Sequence, residues 1–368
     1  MPETDASRVL CFATQGQGHI EDERIRALLA PLGPETYAFD RARKIRSAVG
    51  LLRTARARRP SLIVMEGTGS AGGLTLMMID SLLGIPFVVS SGDAVGPYLG
   101  LRSRVVGAVG EMYERALCRR CVGYVGWTPY LVGRALTFGA PRGMTAPGWT
   151  RGHCSVGARE EIRARLGIAA DAIVVGIAGS LHWREKVKYV YGAELVRAVR
   201  QVKRRDIVAC IVGDGSGRER LEEMAGQDLG VRILLPGRVA PAEVPDYLSA
   251  FDLASLPQSV DGVGSFRYST KLSEYFAAEL PIIIGEIPVA YDLDEGFFWR
   301  LPGEAPWSDA YVNALAETLE TLSEAELTRR RAAVRGRRGD PFDQPAQQRR
   351  MVEFVTDILQ ERARAQSP

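Results

Sequence analysis

Short apolar runs, each followed by a glycine-bearing turn and a helix-spaced segment, recur in both halves of the chain, and this alternation leaves few folds open. In the first half the runs are RVLCFAT, SLIVME at 61 to 66, PFVVSS at 86 to 91 and CVGYVGW at 121 to 127. Between them lie a polar helix from Ile20 to Pro31 and the segments KIRSAVGLLRTARA and GGLTLMMIDSLLG. Strands alternating with helices are joined by right-handed crossovers into a mainly parallel sheet. The runs are apolar throughout, as strands covered on both faces must be.

After Phe138 the stretch GAPRGMTAPGWTRGHCSVG holds five glycines and few helix formers, and reads as an interdomain linker. The second half then repeats the design. AIVVGIAGS at 172 to 180, DIVACIVGDG, VRILLPG, DLASLP and PIIIGE read as strands, with VYGAELVRAVRQVKR and RERLEEMAGQ as helices between them. A chain of 368 residues exceeds the roughly 250 that one core supports, so two doubly wound domains are expected, residues 1 to 150 and 151 to 340. A final helix within 341 to 368 carries Met351, Phe354, Val355, Ile358 and Leu359 at helical spacing and should pack one face on a core, toward the first domain.

Composition excludes several classes. A net charge of +3 is too small to argue for nucleic acid. No apolar run approaches the roughly 18 residues of a membrane span, and the polar start MPETDAS is no secretory leader. Five cysteines without regular spacing make no disulfide framework and point to a reducing cytoplasm. Cys118 and Cys121 form a lone CxxC, read as structural thiols because a zinc site would want a second pair. Between Arg41 and Arg59 stand eight Arg or Lys and no acid. With Ile45, Val49 and Leu52 on one side, that segment fits either a peripheral contact with anionic lipid at the inner face of a membrane or a packed amphipathic helix with its cations in water.

In open parallel sheets, ligands bind beyond the carboxyl ends of the strands, so the loops that follow strands carry the candidate chemistry. In the stretch GSFRYSTKLSEYFAAELPIIIGE, a polar loop enters a helix at Ser269 and Thr270, with Lys271 and Glu274 in its first turns. Unpaired amides and the helix dipole favour an anion there, while Glu274 could accept from two sugar hydroxyls. The same residues also suit an ordinary capped surface helix. GSLHWREKVK supplies Gly179, Ser180, Arg184, Lys186 and Lys188 after a strand, which suits a diphosphate, with Lys188 read as solvated. QGQGHIED places Gly16 and Gly18 at a close-approach turn before His19, too little for a dinucleotide fingerprint. EGTGSAGG and SGDAVGPY add Thr68 and Asp93. DLD at 292 to 294 reads as a loop and not a metal site, and no metal or other cofactor is expected.

From about residue 122 onward the chain resembles family 4 of the retaining glycosyltransferases with the GT-B fold. The landmarks fall in order: WTPYLVGRALTFGAP, APGWT, REEIRARLGI, IVGDGSGRERLEEMA, LPGRVAPAEVPDYLSAFDLASLP and STKLSEYFAAELPII. The first half matches through its Gly-rich first turn, RRPSLIVME and IPFVVSSGD. The resemblance implies two facing Rossmann-like doubly wound domains with a cleft between them. It further implies transfer of a sugar from a nucleoside-diphosphate sugar to a small-molecule, glycan or lipid-linked acceptor, without a metal.

Carried over residue by residue, the donor would meet Gly179, Ser180, Arg184, Lys186, Arg238, Val239, Ser269, Thr270, Lys271 and Glu274. Glu274 would hold the ribose, the backbone at Ser269 and Thr270 the diphosphate, and Arg238 with Val239 would lie beside the base. The acceptor would meet Gly16, Gly18, His19, Thr68 and Asp93, with Asp93, His19 and Lys186 as catalytic candidates. Several positions depart from the family pattern. Its arginine after the glycine of the second-domain first loop is Ser180, its second glutamate is Phe266 with Asp261 the nearest upstream acid, and its histidine-aspartate pair is Gly92-Asp93. A nucleotide-sugar epimerase and an inactive nucleotide-sugar-binding protein are the competing readings.

Overall fold

Every ladder between neighbouring strands in the computed structural model is parallel, so the loop after each strand leaves its sheet at the same edge. The structure describes residues 8–150, 152–337 and 340–366. Its chain divides into two units. The first contains residues to Gly148, Phe266–Tyr268, and the segment from Pro341; the second contains Trp149–Ser265 and Ser269–Asp340.

The first unit runs β1 (Val9–Ala13), α1 (Ile20–Leu29), β2 (Glu35–Thr36), α2 (Lys44–Arg58), β3 (Leu62–Glu66), α3 (Ser70–Leu83) and β4 (Phe87–Ser91). It continues with α4 (Val95–Gly100), α5 (Arg104–Arg120), β5 (Gly123–Gly126), α6 (Pro129–Thr137) and β6 (Gly143–Thr145). The sheet order is β2-β1-β3-β4-β5-β6. The step from β1 to β2 runs opposite to the later steps. Right-handed crossovers therefore set α1 on one face and α2, α3 and α5 side by side on the other. Leu10, Phe12, Ile63, Met65, Phe87 and Val89 are buried in the core beneath those three helices.

The second unit runs α7 (Ala158–Arg165), β7 (Ile173–Ala178), α8 (Ala193–Gln201), β8 (Ile207–Val212), α9 (Arg218–Ala225), β9 (Ile233–Gly237) and α10 (Val244–Ser249). Then come β10 (Leu253–Leu256), α11 (Thr270–Ala277), β11 (Ile282–Gly285), α12 (Val289–Asp292), β12 (Phe298–Leu301), α13 (Asp309–Thr321) and α14 (Glu324–Gly336). Its sheet order is β12-β11-β10-β7-β8-β9. The last helix, α15 (Gln344–Gln366), lies in the first unit. Met351, Val355 and Ile358 form its buried face, and the Phe354 ring fills the place a side chain at Gly123 would need.

Three differences from the sequence reading have plain causes. The linker expected from 139 to 157 contains β6, an outermost strand held by its backbone pairing with β5, for which residue propensity is a poor guide. The edge strands β2 and β12 have no signal in the pattern: β2 is two polar residues, and β12 puts Arg300 in the middle of its run. Phe266–Tyr268 leaves the second unit to pack in the first, where Tyr268 meets Trp127 and Phe342 with ring centroids 5.9 and 6.1 Å apart.

Cys118 and Cys121 are buried thiols, as the CxxC reading required. Burial pushes the Cys121 thiol up to about 12, and its S–H donates to the Cys118 carbonyl at 3.2 Å. At Gly176, in the central strand β7, a Cβ would stand 2.2 Å from the fully buried ring of Phe251. Gly176→Ala is therefore expected to lower stability by about 1–3 kcal/mol through overpacking, read as a lower urea midpoint for unfolding.

Candidate functional site

At the carboxyl edge of the second sheet, three turns lie so close that only glycine fits. A Cβ on Gly213 would stand 1.8 Å from the Gly179 carbonyl oxygen, and one on Gly215 would stand 2.6 Å from the Leu181 carbonyl oxygen. The turns are tied by Gly179 N–H to Val212 O at 2.9 Å, Leu181 N–H to Asp214 O at 3.0 Å and Gly213 N–H to Gly237 O at 2.9 Å. The result is a dense surface of main chain at the ends of β7, β8 and β9. Large cavities of this unit lie at the opposite edge, near Asp171 and Asp206 at the amino ends of β7 and β8, and play no part in this arrangement.

Onto that surface α11 delivers Lys271. Its side-chain end lies 2.8 Å from where a Cβ of Gly179 would be, and its Nζ lies 4.9 Å from the centre of the Tyr191 ring. The guanidinium of Arg184 lies 5.3 Å from the same ring centre and donates to the Tyr191 hydroxyl at 3.3 Å. One tyrosine thus gathers two cations, a role the sequence pattern did not reveal. Ser269 occupies the N-cap position of α11, but its hydroxyl makes no capping bond, and that correction leaves the helix end without a side-chain cap. Glu274 follows one turn after Lys271, half-buried; burial raises its carboxyl above the ordinary range, and Lys271 opposes the shift.

The remaining donor candidates sit around this core. Arg184 and Tyr189 bridge the two sides of the loop after β7, with Lys186 at its exposed tip and Lys188 paired to Glu185. Ser180 is exposed beside Gly179; Arg238 is exposed and Val239 half-buried after β9. The edge is supported from below by Glu194. This wholly buried carboxyl accepts from the Tyr189 hydroxyl at 2.7 Å, Gly192 N–H at 3.1 Å and the Ser255 hydroxyl at 3.1 Å. Tyr275 of α11 donates to the Ser255 carbonyl at 3.0 Å, so the same network fixes the helix that carries Lys271 and Glu274.

Other acids are committed elsewhere. Asp261 accepts from Val263 N–H at 2.8 Å and Gly264 N–H at 2.7 Å, which makes it a turn anchor. Of the DLD read as a loop, Asp292 instead closes the short helix α12, while Asp294 lies in the loop after it, accepting from Gly296 N–H at 2.8 Å and Phe297 N–H at 3.1 Å and pairing with Arg300. No group of three His, Cys, Asp or Glu among the described residues is arranged to hold a metal.

In the first unit, a cavity of about 390 Å³ opens at the carboxyl edge between the loops after β1, β3 and β4, and it brings together Thr68, Asp93 and Glu21. His19 stands exposed at the N-cap of α1 without a capping bond and does not line this cavity. Gly16 and Gly18, at φ 110° and 79°, shape the turn that leads there, and Gly18 N–H donates to Asp22 at 3.1 Å. Gly92 replaces the expected histidine because its neighbour leaves no room: a Cβ there would stand 2.7 Å from the Trp127 ring. Asp93 pairs with Arg267 at 3.1 Å. Phe266, at the position expected to carry an acid, packs its ring against the first unit's core with the Arg134 guanidinium 5.7 Å from its centre, and its carbonyl accepts from the Thr128 hydroxyl at 2.9 Å.

Below the cavity, Arg24 and Glu66 form a buried ion pair at 2.6 Å, and the Trp127 indole donates to Glu66 at 3.0 Å. Glu21, one helical turn before Arg24, has a buried Oε2 with no hydrogen-bond partner. Its carboxyl is pushed up to about 7, chiefly by burial and then by the charges of Glu66 and Asp93, against the opposing pull of Arg24 and Arg41. The neutral form is thus favoured by folding. Its stabilisation is full below the ordinary carboxylate value and is lost as pH rises through about 7. Glu21→Gln should accordingly grow more stable relative to the native chain between pH 5 and pH 8 in paired denaturant titrations. A difference independent of pH would contradict this environment for Glu21.

Two family models match the sequence: "Glycosyl transferase 4-like domain" over residues 5–147 and "Glycosyl transferases group 1" over residues 172–322. No curated protein matches the chain by sequence. Among solved structures, the chain is similar to Anabaena Alr3699/HepE in complex with UDP, with a TM-score of 0.66 at 15% identity, covering 95% of this chain and 100% of that one. The sucrose-phosphate synthase of Thermosynechococcus elongatus gives a TM-score of 0.67 at 14% identity, covering 96% and 99%. WaaG, a glycosyltransferase involved in lipopolysaccharide biosynthesis, gives 0.58 at 14% identity, covering 89% and 93%. With two matching domains in series and two parallel six-stranded sheets, the chain belongs to the family 4-like glycosyltransferases of the GT-B fold.

Proposed function

We propose that the second unit holds a nucleoside-diphosphate sugar at the edge formed by Gly179, Gly213 and α11, and that the first unit supplies the acceptor hydroxyl. The observation that carries this reading is the pair of cations, Lys271 and Arg184, gathered on Tyr191 beside glycine turns that admit a ligand to the main chain. Solved neighbours include HepE with UDP and HepE with UDP and glucose, which supports a nucleotide-sugar donor. Cleavage of the bond between the anomeric carbon and phosphate leaves negative charge on the diphosphate. Lys271, Arg184 and the uncapped start of α11 receive that charge, each well-aimed donor worth about 2–4 kcal/mol in the transition state.

Glu274 accepts from the ribose hydroxyls, Arg238 and Val239 flank the base, and Lys186 reaches the phosphates from its loop tip. These cations make a metal unnecessary on this reading. Retention follows if the acceptor attacks from the face the leaving group departs, a phosphate oxygen taking the proton; Asp93 then orients the acceptor. Lys271→Ala and Glu274→Ala should each weaken binding of the nucleoside diphosphate at least tenfold by calorimetry, and unchanged affinity in both would overturn the assignment.

The acceptor side also carries a surface suited to anionic lipid. Helix α2 buries Ser47, Leu51 and Ala55 and turns Ile45 outward, 83% exposed, among its arginines. Beside it α3 exposes Leu74 and Leu82, and α5 exposes Val105, Val109 and Met112. No helix among the described residues is long and apolar enough to cross a membrane, so any such contact is peripheral. Co-sedimentation with vesicles containing anionic lipid should occur at low salt and weaken at high salt. Absence of binding at low salt would leave α2 as a packed helix with solvated cations.

A further inference from the structure

The cavity of the first unit has walls of unlike charge, which a neutral acceptor would not use. Glu21 presents an oxygen that is buried and without a hydrogen-bond partner, and the half-buried Asp93 lines the same space. A hydroxyl-rich ligand satisfies such acceptors by donating to them. The cavity is also lined by Arg41 and Lys44, two exposed cations at the head of the stretch that holds no acid up to Arg59. Arg41 is aimed by its bond to Gln15, another lining residue. Helix α3, fourteen residues long, starts at this wall with no side-chain cap and adds partial positive charge. At about 390 Å³ the space suits a small ligand such as one sugar ring with a charged substituent.

From these walls we infer that the acceptor is a polyol carrying a phosphate or carboxylate, its hydroxyls donating to Glu21 and Asp93 and its anionic group held by Arg41 and Lys44. The inference rests on the first unit being the acceptor side of the proposed transferase. Phosphate could belong to a free sugar phosphate or to a lipid headgroup, and the test separates the two.

Calorimetry on the full chain would compare hexose phosphates and hexuronates with their neutral parent sugars, and vesicles of phosphatidylglycerol with vesicles of phosphatidylcholine. The charged member of at least one pair should bind tenfold or more tightly than its neutral counterpart. Preference among the soluble pairs identifies a free acceptor; preference among vesicles alone that persists at high salt, where contacts of the α2 surface are screened, identifies a headgroup. In Arg41→Ala with Lys44→Ala the preference should fall below threefold. In Glu21→Gln the preference should persist while both members weaken. Circular dichroism and nucleoside diphosphate binding, unchanged in all variants, control for folding. Loss of nucleoside diphosphate binding by the native chain would defeat the donor assignment alone. Equal binding of every charged and neutral pair, or a preference that survives loss of both cations, overturns the inference.

Discussion

The parallel register of both sheets is the constraint from which the rest follows. Parallel strands cannot be joined by tight hairpins, so each pair needs a crossover, and every loop that leaves a carboxyl end emerges on one edge. Residues as far apart as Gly179, Gly213 and Lys271 therefore meet at one edge of the second unit, and Glu21, Thr68 and Asp93 meet at one edge of the first. Glycine makes the first meeting possible, because any side chain at Gly213 would collide with the carbonyl of Gly179.

Buried polar groups hold these edges in place. Glu194 joins α8 to β10 through Ser255, and Tyr275 extends the connection to α11. Arg24 and Glu66, with Trp127, do the corresponding work beneath the cavity of the first unit. Such groups are costly to bury, and breaking a pair by removing one partner typically costs about 3–5 kcal/mol, so they fix geometry more than they add stability. The two edges differ in character: one is dense main chain with two cations, and the other is an open cavity where carboxyls face cations.

Much of this was legible in the sequence because it depends on local rules. The apolar runs became buried strands, whereas the close approach at Gly213 and Gly215 emerged only from the folded turns. Lys271 and Glu274 could be placed on one helix by spacing alone. What could not be read depends on distant partners. Tyr191 looks like an ordinary helix-flanking aromatic until Lys271 and Arg184 arrive on its ring from different elements. In the sequence Glu21 is one of several first-turn acids, whereas its burial beside Glu66 and Asp93 depends on a helix, a strand and a loop far apart in the chain. Gly92 and Phe266 looked like losses from a family pattern. The structure gives Gly92 a steric reason in Trp127 and places Phe266 in the first unit.

The central claim is that the nucleotide binds at the carboxyl edge of the second unit. Photo-crosslinking the native chain with an azido-substituted uridine diphosphate, followed by peptide mapping, tests it most directly. The account predicts that label displaced by excess unmodified nucleotide falls on peptides containing Gly179 to Tyr191, Arg238 or Ser269 to Glu274. Specific label confined to the loops around Glu21 and Asp93 would contradict it.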